Sequence, residues 1–342
     1  MLNWTSADER FWERFLTVLP DKIFDAHVHV WTKDMMILSN QKDATATWAH
    51  NFINANILPY EDLQEAYKLL FPDRQVKSLI FGMVENNIDV KKNNTYVGDK
   101  AAKYSIPGLA VSRPEWSAEE LIHQVEDNGL IGIKPYPNFV FHIPTNGIRI
   151  TDMVPRSHLE VANEKGWVLT LHLPRKGRLG DEANLEDLLM IEREFSHIRM
   201  IVAHIGRAYC AEDLGLSMDM LRGTKNMRFD FSGNTNSNVF RMALEAFGAE
   251  RLMFGSDAPI AFMRMRRIHE NGLYINEIPA GSCGDVAGDP HVHELPEEET
   301  KDFSLFVYEV AAAMLQAIHE LKLSDGVLEK LFYKNAESLL CK

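Results

Sequence analysis

Two histidines one residue apart, in Asp25-Ala26-His27-Val28-His29, follow the apolar pair Ile23-Phe24. Side chains alternate along a strand, so His27 and His29 fall on one side, where two imidazoles can reach one ion. Imidazole is the commonest metal-ligand side chain and suits Zn, Cu, Fe or Ni. Taken alone, the pair reads equally well as two ordinary polar residues at a strand end. The deciding partners lie further along, where Leu171-His172, Ala203-His204 and Gly255-Ser256-Asp257 each place a histidine or aspartate at the end of an apolar run. Four imidazoles and a carboxylate gathered without a cation would need many compensating hydrogen bonds. A second HxH, His291-Val292-His293, sits in a Gly/Pro-rich stretch and is expected on a loop outside the primary site.

These groups meet only if strand ends converge. Apolar runs at 22–30, 76–83, 106–111, 130–136, 167–172, 199–204, 227–232 and 251–257 read as eight strands, with helical segments at 93–104, 117–127, 155–165, 185–195, 211–221 and 239–247 between them. Short runs rich in Val, Ile, Leu and Phe suit strands covered on both faces. Strand–helix alternation implies parallel pairing with right-handed crossovers. Eight such units close most naturally into a (β/α)8 TIM barrel, whose catalytic groups lie at the C-terminal strand ends. The rival, an open doubly wound sheet, is weakened because no Gly-rich dinucleotide turn follows the first strand. The expected chain is one domain over 1–342, with an N-terminal helix at 6–18, an insertion after strand one at 31–72 and a long loop after strand eight at 258–299. That insertion holds a helical segment at 61–71, and helices at 302–320 and 324–340 close the chain. Glycines at 272, 281, 284 and 288 would let the long loop move as a lid.

Composition narrows the function classes. Of 342 residues, 46% are hydrophobic and 25% charged, an ordinary globular balance. A net charge of −13 argues against a nucleic-acid partner, which needs a basic footprint. Cys210, Cys283 and Cys341 are odd in number, widely spaced and without CxxC, which fits a reducing compartment and excludes a thiolate zinc ribbon. The N-terminus is amphipathic and unlike a signal peptide, and no apolar run approaches spanning length. The expectation is a soluble cytoplasmic protein with no membrane partner, compatible with a homodimer.

Against that acidic background, cations gather after the site strands: Arg175, Lys176 and Arg178 after strand five, Arg207 after strand six, and Arg264, Arg266 and Arg267 after strand eight. Arginine binds a carboxylate with a planar two-point fork, so a small anionic substrate is expected. Arg175 and Arg207 each follow a site histidine by three residues and are the favoured anchors; Lys176, Arg178 and Arg266 are expected exposed or salt-bridged.

The set Asp25-Ala-His-Val-His29, Leu171-His172-Leu-Pro-Arg175, Ala203-His204-Ile-Gly-Arg207 and Phe254-Gly-Ser-Asp257-Ala-Pro259 resembles the amidohydrolase superfamily, in its amidohydrolase-related branch of metal-dependent barrel hydrolases and decarboxylases. The tail Tyr333-Lys-Asn-Ala-Glu-Ser-Leu339 resembles that family's closing helix. The resemblance implies that His27, His29, His172 and Asp257 hold one divalent ion, zinc first, with manganese or another as alternatives. It implies that Asp257 is also the general base and that His204 orients the water or polarises the carbonyl. In binuclear members a carboxylated lysine bridges two ions, and Lys134 stands at that strand end. A second metal is therefore implied only if Lys134 is carboxylated, when His204 becomes its ligand; otherwise Lys134 binds substrate or packs. Metal-activated hydrolysis of a small carboxylate-bearing amide, lactone or ester is the first expectation. Non-oxidative decarboxylation of a small aromatic acid at the same site is the alternative, and a degenerate, non-enzymatic barrel is the third.

Overall fold

The structure, a computed structural model, describes residues 2, 4–37, 47–324 and 326–341. Part of the insertion expected after strand one, residues 38–46, lies outside the described residues. Eight parallel strands run in chain order, each beside the next: β1 Lys22–His29, β2 Gln75–Phe81, β3 Gly108–Ser112, β4 Gly132–Pro135, β5 Val168–Leu171, β6 Arg199–Val202, β7 Met227–Asp230 and β8 Leu252–Met253. The chain beyond β8 then runs along β1. Ala26 N–H donates to Phe254 O at 2.9 Å, Asp257 N–H to His27 O at 2.9 Å and His29 N–H to Ala258 O at 3.1 Å. These bonds draw the sheet into a nearly closed barrel with helices between the strands, a (β/α)8 architecture. Among the described residues no helix is long and apolar enough to cross a membrane.

The barrel interior is filled from one end. Phe24, Ala26, Leu79, Phe81, Leu109, Val168, Ile201 and Met253 form an inner apolar cluster closed by Tyr333, Ala336 and Leu340 of the C-terminal helical segment. That segment is bolted to the barrel by Phe254 N–H to Leu331 O at 2.8 Å and by Asn335 Nδ2 to Ala249 O and Leu252 O, each at 2.7 Å. With this end plugged, the candidate site's polar groups gather at the other, where the strands terminate.

Simple alternation does not bring His27 and His29 there. Phe24 and Ala26 point inward, whereas Ile23, Val28 and Val30 belong to the outer cluster beneath the helices. The register with β2 slips between Asp25 and Val28, a bulge that inverts the side-chain parity, so that His27 and His29 turn inward after Ala26. Asp25, fully buried, holds the bulge. Its Oδ1 accepts from Ser256 N at 2.7 Å and His27 N at 3.2 Å, and its Oδ2 accepts from Tyr67 Oη at 2.8 Å. Burial lifts its pKa to about 6 despite these bonds. Asp25→Ala would orphan three buried donors, each worth about 1–3 kcal/mol. The expected result is a loss of about 3 kcal/mol or more in denaturant unfolding, with Asp25→Asn milder because it keeps an acceptor oxygen; a loss under about 1 kcal/mol for the alanine variant would show that the bulge is held by other groups.

The stretch after β8 departs from the expected loop. It folds into a second sheet, β9 Arg266–Glu270, β10 Leu273–Pro279 and β11 Val292–Leu295, with β10 in the centre, antiparallel to β9 and parallel to β11. His293, expected on a loop, therefore lies on a strand, and His291 just before it. These strands pair with one another rather than with the barrel, so they lack the continuous apolar run that betrays a buried strand. The flap is tied to the insertion helix Trp48–Ala55 through Trp48 N–H to Asp289 Oδ2 at 3.3 Å and Asn51 Nδ2 to Asp285 O at 2.8 Å.

Candidate metal centre

The bulge delivers His27 and His29, and a backbone turn of unusual hand delivers His204. Residues His204, Ile205, Gly206 and Arg207 all have positive φ, between 48° and 63°. Three of the four are not glycine, and each such residue costs about 1 kcal/mol or more. The turn is pinned by His204 N–H to Asp230 Oδ1 at 3.0 Å and by Arg207 Nη1 to Leu173 O at 2.9 Å. Asp257 is also left-handed, at φ 60°, where the chain turns away from β1.

Each inner imidazole has its Nδ1 engaged and its Nε2 available. His27 Nδ1–H donates to Asp230 Oδ2 at 2.9 Å, and His29 Nδ1–H donates to the Gly82 carbonyl at 3.0 Å. Both acceptors can only accept, which fixes the proton on Nδ1. Ser232 Oγ donates to Asp230, so toward His204 it accepts; His204 Nδ1–H lies 2.9 Å from Ser232 Oγ and 3.1 Å from Ser232 O. Burial is the chief reason that all four histidines sit below the ordinary imidazole pKa, His29 at about 3, with Lys134 adding to it for each. They are therefore neutral at pH 7 with free lone pairs, the state a metal ligand requires.

Asp257 closes the group. Its Oδ1 lies 3.5 Å from His27 Nε2 and 3.7 Å from His29 Nε2. Ligand atoms around one zinc-sized ion stand about 3–3.5 Å apart, given bonds of about 2.0–2.2 Å. One donor atom each from His27, His204 and Asp257 also lie within 4.8 Å of one another. His172 stands further round the rim, its ring 5.3 Å from that of His204 and 4.8 Å from Tyr136. The donor set fits a divalent cation: neutral imidazoles whose Nδ1 atoms are engaged on His27, His29 and His204 converge with a carboxylate.

Lys134 lies in β4, fully buried, its Nζ without a hydrogen-bond partner and 5.0 Å over the Phe81 ring. Burial lowers its pKa below the ordinary ammonium value, with Asp230 and Asp257 pulling back upward. Burial raises Asp257 above the ordinary carboxylate range, while Lys134 draws it down.

Several contributors were not anticipated. Asp230 is the hub, accepting from His27, His204, Ser232 N at 3.1 Å and Ser232 Oγ. Its signal was its place at the end of strand seven, the position the other site residues hold on theirs. Glu85, beyond β2, pairs with His50 Nδ1 at 2.9 Å and accepts from Asn138 at 3.4 Å on the rim, so His50 belongs to the mouth rather than to open surface. Tyr136 and Tyr209, both half-buried, share this rim, their phenols raised mainly by burial.

The expected substrate cations divide. Arg175 Nε is engaged by Asp181, 2.8 Å away, at the N-terminus of the helix Glu182–Glu194. Arg207 lies against the site, its charge adding to the lowering of His172 and offsetting part of the rise of Tyr136. Arg178 pairs with Asp213, and Arg264 is bound to Asp8 and Phe303 O. Lys176 and Arg266 are exposed. His291 stacks on Tyr274, centroids 4.0 Å apart, and His293 faces solvent, so the second HxH stands apart from the inner donors.

A family model described as Amidohydrolase matches residues 24–341. No curated protein matches the chain. Among solved structures, a probable 2-pyrone-4,6-dicarboxylic acid hydrolase from Acinetobacter baumannii with citric acid bound is 17% identical at TM-score 0.54, covering 93% of this chain and 98% of that one. A 2,6-dihydroxybenzoate decarboxylase from Rhizobium is 13% identical at TM-score 0.52, over 94% and 99% of the two chains. A 5-carboxyvanillate decarboxylase from Novosphingobium aromaticivorans, complexed with manganese and 4-hydroxy-3-methoxy-5-nitrobenzoic acid, is 13% identical at TM-score 0.53, over 94% and 96%.

Proposed function

The chain belongs to the amidohydrolase family, and from that premise we propose that it is a metal-dependent hydrolase acting on a small carboxylate-bearing lactone, amide or ester. The observation that carries this is the convergence of Nδ1-anchored, neutral imidazoles with Asp257 at the open end of the barrel. We assign His27, His29, His172 and Asp257 as the residues that hold the ion, with zinc the first choice and manganese the alternative suggested by the decarboxylase complex. The close grouping of His27, His204 and Asp257 offers His204 as the third imidazole in place of His172. When bound there, a divalent ion supplies Lewis acidity and a water acidified toward neutral pH.

The protein's own groups perform the rest. Asp257 accepts the proton of the attacking water and returns it to the leaving oxygen or nitrogen. His204, if not a ligand, accepts at Nε2 from the attacking water and so orients it. Asp230 keeps His27 in the tautomer these tasks need, as carboxylates behind metal-ligating histidines do, and holds His204 through its backbone N–H and through Ser232, which fixes that ring's tautomer. Arg207 receives the substrate carboxylate, and Arg175, braced by Asp181, gives secondary support. Lys134 adds positive potential beneath the reacting carbonyl, or, if carboxylated, holds a second ion.

Decarboxylation of an aromatic acid is the second reading, favoured by two of the solved neighbours. The test is elemental analysis followed by two assays on the metal-loaded protein: opening of the lactone 2-pyrone-4,6-dicarboxylate and CO2 release from hydroxybenzoates. One ion per chain with lactone opening is expected. CO2 release alone installs the decarboxylase, and two ions per chain promote Lys134 to a metal bridge. Absence of both metal and turnover would return the chain to a binding role.

A further inference from the structure

The flap places one arginine where the sequence shows only a cluster of three. Arg267, on β9, is only 8% exposed, and its guanidinium carbon packs 4.8 Å from the Tyr209 ring, 4.5 Å from Tyr274 and 4.8 Å from Phe306. Its Nε donates to Asn276 Oδ1 at 2.8 Å, and its Nη1 donates to Gly233 O. Among the described residues, Nη2 has no protein acceptor and no carboxylate lies within 4.0 Å of the group. The other buried arginines differ. Arg178 pairs with Asp213, and Arg251 has all three nitrogens bonded, to Leu221 O, Arg222 O, Met227 O and Thr224 Oγ1. A buried charge without a counter-ion is costly, so such a group calls for an anion.

The position says where that anion would come from. A Cβ on Gly233, the residue Arg267 grips, would stand 3.3 Å from His204 Nδ1 and 3.7 Å from Asp257 Oδ2. Arg267 is thus one residue removed from the inner donors, on the β8 side. Arg207 reaches the same mouth from the β5–β6 side, and the charges of both arginines act on Tyr209. Two guanidinium groups thus lie to either side of Tyr209, and among the described residues neither has a carboxylate partner.

We propose that Arg267 is a specificity-determining residue that receives a second anionic group of the substrate, remote from the reacting carbonyl, so that the enzyme selects dianions over monoanions. The inference rests on the anionic-substrate reading above and deepens it. Tyr209 and Tyr274 hold the guanidinium in place, so its fork is pre-oriented before the ligand arrives. The flap thereby becomes part of the recognition surface.

The test is calorimetric titration of the metal-loaded protein with isophthalate and with benzoate, for wild type, Arg267→Met and Arg267→Lys. Wild type should bind isophthalate about 10–100-fold more tightly than benzoate, the range of a charge-assisted pair. Arg267→Met should erase that difference and leave benzoate unchanged, and Arg267→Lys should restore part of it. If the methionine variant does not fold, the lysine variant decides, since it keeps the charge but loses the two-point fork. Equal weakening of both ligands would mark a merely structural role, and full discrimination in the variants would overturn the assignment. Wild-type binding of both acids with equal strength overturns the second anchor but leaves the anionic-substrate reading standing. Binding of neither overturns that reading as well.

Discussion

Asp257→Asn is expected to lower kcat by about 10²–10⁴-fold at saturating metal, with the circular dichroism spectrum unchanged. That span is what a positioned proton-transfer group contributes. Asparagine has nearly the same shape but cannot take a proton from water. The backbone around it is held independently, through Asp257 N–H to His27 O and Ala258 N–H to Ser256 Oγ, so the substitution leaves the turn in place. Metal content measured beside turnover separates the two tasks assigned to this side chain, because the amide oxygen remains a weak ligand. An acid limb should disappear from the kcat/KM profile of the variant, since a base must be ionised to act. Near-normal turnover at full metal content would remove Asp257 as the base.

His27→Ala is expected to weaken metal binding by at least about 100-fold. Loss of a partner behind a ligand already costs 10–100-fold, and a direct ligand costs more. His27 is central in the geometry: its Nε2 faces Asp257, and its ring lies 4.8 Å from that of His204 and 5.6 Å from that of His29. Truncation also leaves the buried Asp230 without its imidazole, so His27→Gln is the companion that limits the cavity. Unchanged stoichiometry in a folded variant would refute His27 as a ligand. The same measurement on His172→Ala and His204→Ala decides between them, since only the true ligand should empty the site.

Much of the fold was legible because parallel barrel strands are apolar on both faces, as in Ile201-Val202 or Leu169-Thr170-Leu171. The site histidines and Asp257 stood out because each breaks such a run at its end. The features that leave no mark in the sequence do so for physical reasons. The β1 bulge inserts no telltale glycine or proline; Asp25 creates it by bonding to Ser256 and Tyr67, contacts made only in the folded chain. Alternation relates His27 to His29, but it cannot say which way the pair faces relative to Phe24. Asp230 is a lone acid with no spacing partner, and its importance arises from two backbone N–H groups and an imidazole brought from elsewhere. The flap strands carry Glu270, Glu277 and His293 on open faces, so their pattern resembles loop sequence. Arg267 is singled out from Arg264 and Arg266 only by the sheet that turns it inward.

The joint between β1 and the chain beyond β8 has a bearing on how the molecule assembles. It pairs segments 231 residues apart along the chain, as in the bond from Ser256 to Asp25. Contacts of such high sequence separation form late, after the rest of the ring has been ordered. A cation gripped by His27 and Asp257 would straddle this joint, and no grip exists until the joint has closed. Occupancy should then leave the speed of assembly almost untouched and lengthen the lifetime of the closed ring instead, acting as a clasp fastened after the garment is on.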